Sequence, residues 1–267
     1  MPQAVFPYPG GKSRLASWIL EYLPEHRTYV EVFGGAAGVL VNKPRSKVEV
    51  YNDLDADLVQ FFEVLRDRSD ELIEWLNQTP YSRDLHGTWA GAFYNGYRPA
   101  DAIERAGQFF YLRYTQWGGA YDNENGFATA KTQSRAVSFN NKRERLTEFA
   151  ERFDGVTIEN LDWKDVFERY DSSKTVFYCD PPYVGVEDYY PHSSVGHENL
   201  VDVLDELEGD CILSYSDLPA GTEDYYVVGQ ESRNYMGNGK TGKARKTEER
   251  LVLNFDPGQR NLIADEP

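Results

Sequence analysis

Cysteine and histidine are scarce in this chain of 267 residues, with two of the first and four of the second. The histidines are scattered, so no cysteine–histidine cluster of the kind that holds zinc is present, and two cysteines exclude a disulfide scaffold. Cys179 and Cys211 each fall in a stretch that reads as a strand, where buried reduced thiols are expected. No apolar run is long enough to span a membrane, and no secretory signal pattern is present, so a cytoplasmic protein is expected. Positive charge is also short: 28 basic residues face 44 acidic ones, giving a net charge of −16, and only 10 of the 28 are lysine. What remains is ample for a folded α/β core, since 40% of residues are hydrophobic and 14% aromatic, which excludes a disordered chain.

The chemistry concentrates in a few segments. Thr175-Val176-Phe177-Tyr178-Cys179 reads as a buried strand, and Asp180-Pro181-Pro182-Tyr183 follows it directly. Ligands of open α/β sheets bind outside the carboxyl ends of the strands, which is where this tetrapeptide falls. Its residue types suit transfer to a planar amino group. The lone pair of such an amine is delocalised into its ring, and acceptors for its two N–H bonds, the Asp180 carboxylate and a backbone carbonyl, would draw the nitrogen towards tetrahedral geometry. Pro181 stiffens the turn that aims those acceptors, and Tyr183 offers a face on which a base can stack. Taken alone, the tetrapeptide reads equally well as a strand ending in a Pro-Pro turn with a packed tyrosine.

A second segment supplies the context. Tyr29-Val30-Glu31-Val32-Phe33 reads as a strand running into Gly34-Gly35-Ala36-Ala37-Gly38, with a helix expected from Val39. Small residues there let a cofactor lie against the backbone. Val48-Glu49-Val50-Tyr51 forms a further strand ending in Asn52-Asp53, the usual place for an acid that binds a ribose hydroxyl pair. The glycines do not match GxGxxG, and no Lys-Ser/Thr follows them. A nucleoside-type cofactor is therefore preferred over NAD or ATP.

In this order the motifs resemble those of the Dam-type DNA adenine-N6 methyltransferases. Phe6-Pro7-Tyr8-Pro9-Gly10-Gly11-Lys12 is similar to the family's N-terminal aromatic and Gly-Gly-Lys segment, Glu31-Val32-Phe33-Gly34-Gly35-Ala36 to its first cofactor motif, and Asn160-Leu161-Asp162-Trp163 to the pair that reads the cofactor adenine. Leu213-Ser214-Tyr215-Ser216 resembles the strand after the catalytic motif. The resemblance implies an α/β, S-adenosylmethionine-dependent (Rossmann-like) methyltransferase fold with an inserted, mostly helical target-recognition domain. It implies S-adenosylmethionine held by Tyr8, Gly11, Lys12, Phe33, Gly34, Gly35, Ala36, Asp53, Asp162, Trp163 and Asp180, with catalysis by Asp180, Pro181, Pro182 and Tyr183. The implied substrate is a flipped adenine in double-stranded DNA. No metal is called for, because a sulfonium donor needs none. Cytosine-N4 methylation, usually through Ser in place of Asp180, and a catalytically silent DNA binder stay open as alternatives. A cognate restriction enzyme and a monomer or weak dimer are both compatible with the family.

Domain boundaries follow from the resemblance: residues 1–55 and 139–267 for catalysis, 56–138 for the insert. Within the insert, Gly118 and Asp122 stand where relatives carry an Asn and an arginine that read DNA, which leaves the GATC target of the family open. Arg113, Gln116, Trp117, Asn123, Asn125, Lys131, Gln133 and Arg135 remain candidates for DNA contact, since amides and arginines read major-groove edges; each also reads as a residue of a polar surface hairpin. Residues 234–246, the most basic stretch, place Lys240 and Lys243 in a glycine-rich loop between two strands and suggest a phosphate contact. Helices are expected over 12–22, 55–76, 100–114, 143–153 and 198–207, with 79–98 irregular. The charge of −16 admits two explanations: acids gathered on the side away from DNA, or adaptation to a high-salt cytoplasm, where screening over ~3 Å at molar salt removes their repulsion.

Overall fold

A run of apolar residues with no alternation marks the centre of the sheet. The computed structural model describes residues 3–117, 124–183, 196–234 and 245–262. In it β1 (Thr28–Glu31), β2 (Val48–Asn52), β3 (Thr157–Glu159), β4 (Thr175–Cys179) and β5 (Asp210–Tyr215) lie parallel. An antiparallel pair, β6 (Tyr226–Asn234) and β7 (Arg245–Leu253), completes a seven-stranded sheet in the order β3-β2-β1-β4-β5-β7-β6. β4 is buried along its whole length, because helices cover both faces of a central parallel strand. Its side chains divide between two layers: Val176 and Tyr178 join the larger core, while Phe177 and Cys179 pack with Val166, Phe167 and Leu200. Cys179 and Cys211 are buried free thiols, with sulfurs 4.0 Å apart on neighbouring strands. The chain builds outward from β1 to β3, then returns to lay β4 against the other side of β1. The gap between the ends of β1 and β4 is thus the topological switch point.

Several helices depart from the expected spans. Lys12 to Tyr22 splits into a 3₁₀ turn, Lys12–Arg14, and a short α1 (Ala16–Leu20). The helix expected from Val39 is only a 3₁₀ turn, Leu40–Asn42, because Pro44 forces Lys43 out to φ −90°, ψ 154°. Residues 55–76 form two helices, α2 (Ala56–Asp67) and α3 (Ser69–Asn77), broken at Arg68. The stretch read as irregular contains α4 (Arg83–Tyr94), whose N-cap is Ser82. Gly87 and Gly91 lower its intrinsic propensity, but Leu85, Trp89 and Phe93 recur on one face and pack against the core. Then follow α5 (Ala102–Thr115), α6 (Arg135–Glu144), α7 (Leu146–Phe153), α8 (Trp163–Tyr170) and α9 (His197–Asp202).

The helices α2 to α7 lie between β2 and β3 in the chain and share their core with the sheet. Phe6 meets Phe61 of α2 at 5.2 Å and Phe109 of α5 at 5.5 Å, ring centre to ring centre. Phe62 stacks on Phe153 at 4.5 Å and leans on Tyr51 at 4.6 Å. Residue 56, the expected boundary, therefore opens a helix that covers the sheet itself. Asp57 ties that helix to the next ones, binding Arg98 and Arg105 at 2.7 Å each.

Candidate active site

The turn after β1 is shaped by what stands beside it. A Cβ on Gly34 would lie 2.1 Å from the ring of Tyr51, and Gly35 has φ +49°. The Tyr51 hydroxyl donates to the Gly35 carbonyl at 2.7 Å, and the Gly34 N–H donates to the Asn52 carbonyl at 2.7 Å. Asn52 joins three strand ends: its amide donates to the Val32 and Leu161 carbonyls at 2.8 and 3.1 Å, and its oxygen accepts from Leu161 N–H at 2.9 Å. Next to it, Asp53 accepts from the N–H groups of Gly35 at 2.8 Å and Asp55 at 2.9 Å. Burial, and then the neighbouring Asp55 carboxylate, push the Asp53 pKa up to about 7 despite those bonds. Glu31, at the end of β1, accepts from Tyr29 hydroxyl and Leu40 N–H and is likewise pushed up to about 7, chiefly by burial.

On the other side of the switch point, β4 delivers Asp180. Its carboxylate binds the Lys12 ammonium at 2.7 Å. Lys12 also donates to the Gly10 carbonyl at 3.0 Å and lies 3.4 Å from Glu249 of β7. Burial raises the Asp180 pKa, Lys12 opposes that, and Glu249 adds to it, leaving the group at about 6. Burial works against the Lys12 charge, yet Asp180 and Glu249 outweigh it and hold the lysine above its ordinary value. The Tyr183 ring sits over Lys12, 4.7 Å from the ammonium, and its hydroxyl bonds Glu249. Pro181 is buried and Pro182 half-buried.

All eleven residues expected at the cofactor, from Tyr8 to Asp180, line one cavity. Among the described residues its charged lining is Glu31, Asp53, Asp55, Asp162 and Asp180 against one cation, Lys12. Such a lining repels phosphates and attracts a cation, which fits a sulfonium nucleoside and disfavours a dinucleotide. Gly38 also lines it, and a Cβ there would come 2.9 Å from the Ser13 nitrogen, so the glycine lets the turn pack against the Lys12–Ser13 backbone. The profile of the D12 class N6 adenine-specific DNA methyltransferases matches residues 8–227. The chain belongs to that family.

Among its relatives, the Type II methyltransferase M.CviBI of Paramecium bursaria Chlorella virus NC1A is 21% identical over 261 residues, covering 92% of this chain and 97% of that protein. The DNA adenine methylase of Salmonella typhi is 26% identical over 280 residues, covering 96% of each. That of Vibrio cholerae serotype O1 is 27% identical over 187 residues, 68% of this chain and 65% of its own length.

The side chains expected to touch DNA divide into four groups. Arg113 and Gln116 are buried, 5% and 6% exposed. The Arg113 guanidinium lies over the Phe109 ring and donates to the Tyr94 hydroxyl at 3.2 Å, and Gln116 accepts from that same hydroxyl at 3.0 Å. Both belong to the packing between α4 and α5, because they fall on the inward face of α5 and just beyond its end. Trp117 is 60% exposed, and Lys131, Gln133 and Arg135 are on the surface. Asn125 is half-buried, its carbonyl against the His86 ring at 2.9 Å. Asn123, Lys240 and Lys243 lie outside the described residues. Asp162 caps α8, accepting from Lys164 N–H at 3.0 Å, while Trp163 beside it is buried.

Three lining or supporting residues have no counterpart in the motif reading. Leu54, 46% exposed at the rim, is the one large apolar side chain between the two acids Asp53 and Asp55. Asp55 caps α2, which gives its carboxylate a local reason to be there. Glu249 sits in the run Glu248-Glu249-Arg250, where nothing local marks one acid as buried.

Proposed function

We propose that the protein methylates the N6 amino group of adenine in double-stranded DNA with S-adenosylmethionine, and that the adenine is turned out of the duplex to reach Asp180. One observation carries this reading: Asp180 at the end of β4 and the glycine turn at the end of β1 meet at the switch point on a single acidic cavity. The bound cofactor would supply a methyl group on a sulfonium; the neutral thioether it leaves behind needs no acid or metal, and the proton displaced from the methylated nitrogen would pass to Asp180 and on to solvent. Asp180 accepts from the target amine, the Pro181 carbonyl is the second acceptor, and the half-buried Tyr183 ring stacks on the base. Asp53 holds the ribose hydroxyls, and Asp162 with Trp163 holds the cofactor adenine. Alignment of donor and amine supplies most of the acceleration. The exposed side chains Trp117, Lys131 and Arg135 between β2 and β3 are proposed to face DNA. Nucleoside mass spectrometry of duplex DNA after reaction tests the function. N6-methyladenine is expected; N4-methylcytosine would transfer the reading to the other amine, and cofactor binding with no methylated base would leave a silent binder.

Asp53→Ala should weaken S-adenosylmethionine binding by roughly 10- to 100-fold, the worth of hydrogen bonds to a charged acceptor. In the unmodified protein, binding should weaken as pH falls through about 7, because Asp53 protonates there and the cationic cofactor favours the ionised form. Calorimetry across pH 5.5–8.5 checks both; an unchanged dissociation constant in the alanine variant would remove Asp53 from the ribose.

The acidic surface is proposed to be an adaptation to high salt. Activity should then rise from dilute buffer to molar KCl as screening relieves the repulsion of a −16 charge, and DNA affinity should fall only slowly with log salt. Maximal activity near 0.1 M salt with steep loss above it would assign the acids to a face turned away from DNA.

A further inference from the structure

Behind the catalytic motif, one buried carboxylate gathers three side chains from three different parts of the chain. Glu249 is 6% exposed on β7. Its Oε1 accepts from the Ser214 hydroxyl of β5 at 2.9 Å and from the Tyr183 hydroxyl, and lies 3.4 Å from the Lys12 ammonium. Two of those partners, Lys12 and Tyr183, are also the two side chains that close round Asp180: Lys12 binds it, and Tyr183 is fixed at the end of the same turn. A buried carboxylate is costly unless it is fully paired. Here the pairing runs through the groups that prepare the site.

We propose that Glu249 is a positioning residue for methyl transfer: it holds Lys12 and Tyr183 from the β7 side and so sets where Asp180 points and how far Lys12 neutralises it. Lys12 is then shared between two carboxylates, and Asp180 keeps acceptor strength for the target amine. Without Glu249, Lys12 belongs to Asp180 alone and competes with the amine for the same oxygen. Tyr183 keeps only the Ser214 hydroxyl at 3.5 Å among its hydroxyl's described partners, and the base loses a firmly held platform. This inference rests on the assignment of Asp180 to the target amine.

The titratable groups facing Asp180 are Lys12, Glu31 of β1, Tyr178 and Cys179 of β4, Tyr183, Tyr215 of β5 and Glu249. Of these, Glu249 is the carboxylate that most opposes ionisation of Asp180, whose pKa stands at about 6. Activity needs the ionised form, so the acid limb of kcat should fall near that pH. Removing the charge of Glu249 should move that limb to lower pH.

The test compares Glu249→Gln, Glu249→Asp and Asp180→Ala, each checked for folding by thermal melting, for cofactor binding by calorimetry, and for single-turnover rate against pH. Glu249→Gln should lose at least about tenfold in rate, keep cofactor affinity within about threefold, and shift its acid limb downward. Glu249→Asp keeps the charge over a shorter reach, so its limb should stay and its rate should fall between the two. An unchanged rate in Glu249→Gln, or a lost rate with the acid limb unmoved, overturns the proposal. Should Glu249→Gln fail to fold, Glu249→Asp decides: a reduced rate in a normally melting protein supports the positioning role, and a full rate overturns it. An active Asp180→Ala would overturn the assignment of Asp180 itself, which separates that failure from a failure at Glu249.

Discussion

Replacement of Asp180 by alanine is expected to lower the methylation rate by about a thousandfold or more while S-adenosylmethionine binding stays within about tenfold. The carboxylate lies at the end of β4, across the cavity from Asp53, so under the proposed assignment its loss touches the amine and leaves the nucleoside end intact. Lys12 is left with Glu249 at 3.4 Å and the Gly10 carbonyl at 3.0 Å, which keeps its buried charge partnered and the fold in place. Rate and dissociation constant must therefore separate. Single-turnover kinetics and calorimetry on the same preparation check this. Equal losses in both would place Asp180 on the cofactor and move the amine acceptor elsewhere.

The split between what the residues foretold and what they hid follows the distance over which each feature is determined. The glycine turn, Asn52-Asp53 and Asp180-Pro181-Pro182-Tyr183 each end a short apolar strand, and parallel pairing carries all such ends to one edge of the sheet. Convergence on one cavity needs nothing more. Glu249 could not be found that way, because it reaches the site on an antiparallel strand at the end of the chain, paired beyond β5. The burial of Arg113 and Gln116 was hidden for a related reason. Composition marks them polar, but the position of Arg113 on the buried face of α5 and the waiting Tyr94 hydroxyl are decided by packing. Local rules also misled in both directions: two glycines concealed α4, whose apolar face outweighs them, and Pro44 cut short the helix expected after Val39. The boundary expected at 56 follows motif order, and the stacking of Phe62 on Phe153 across it is likewise a matter of packing.

Gly34→Ala is the smallest change with a large expected effect. Its Cβ would stand 2.1 Å from Cε2 of Tyr51, where no real contact is tolerated. That ring cannot step aside: it is fully buried, leans on Phe62 at 4.6 Å and Phe153 at 5.8 Å, and its hydroxyl holds the Gly35 carbonyl at 2.7 Å. Either the ring leaves its slot or the turn moves, and a moved turn takes the Gly35 N–H from Asp53. Overpacking of this kind costs about 1–3 kcal/mol, which for a chain of this size lowers the melting temperature by roughly 2–10 °C. Cofactor affinity should fall further, by about a hundredfold, because the glycine turn and Asp53, the proposed ribose acid, shift together. Gly87→Ala makes the matching control. A Cβ there meets nothing within 4 Å, so in a helix interior it should stabilise by up to about 1 kcal/mol and leave the cofactor alone. The double change Gly34→Ala with Tyr51→Leu removes the colliding ring and should recover part of the lost affinity. Normal binding by Gly34→Ala alone would mean that the β1 turn does not cradle the cofactor, and the acidic lining would have to hold it from the opposite wall.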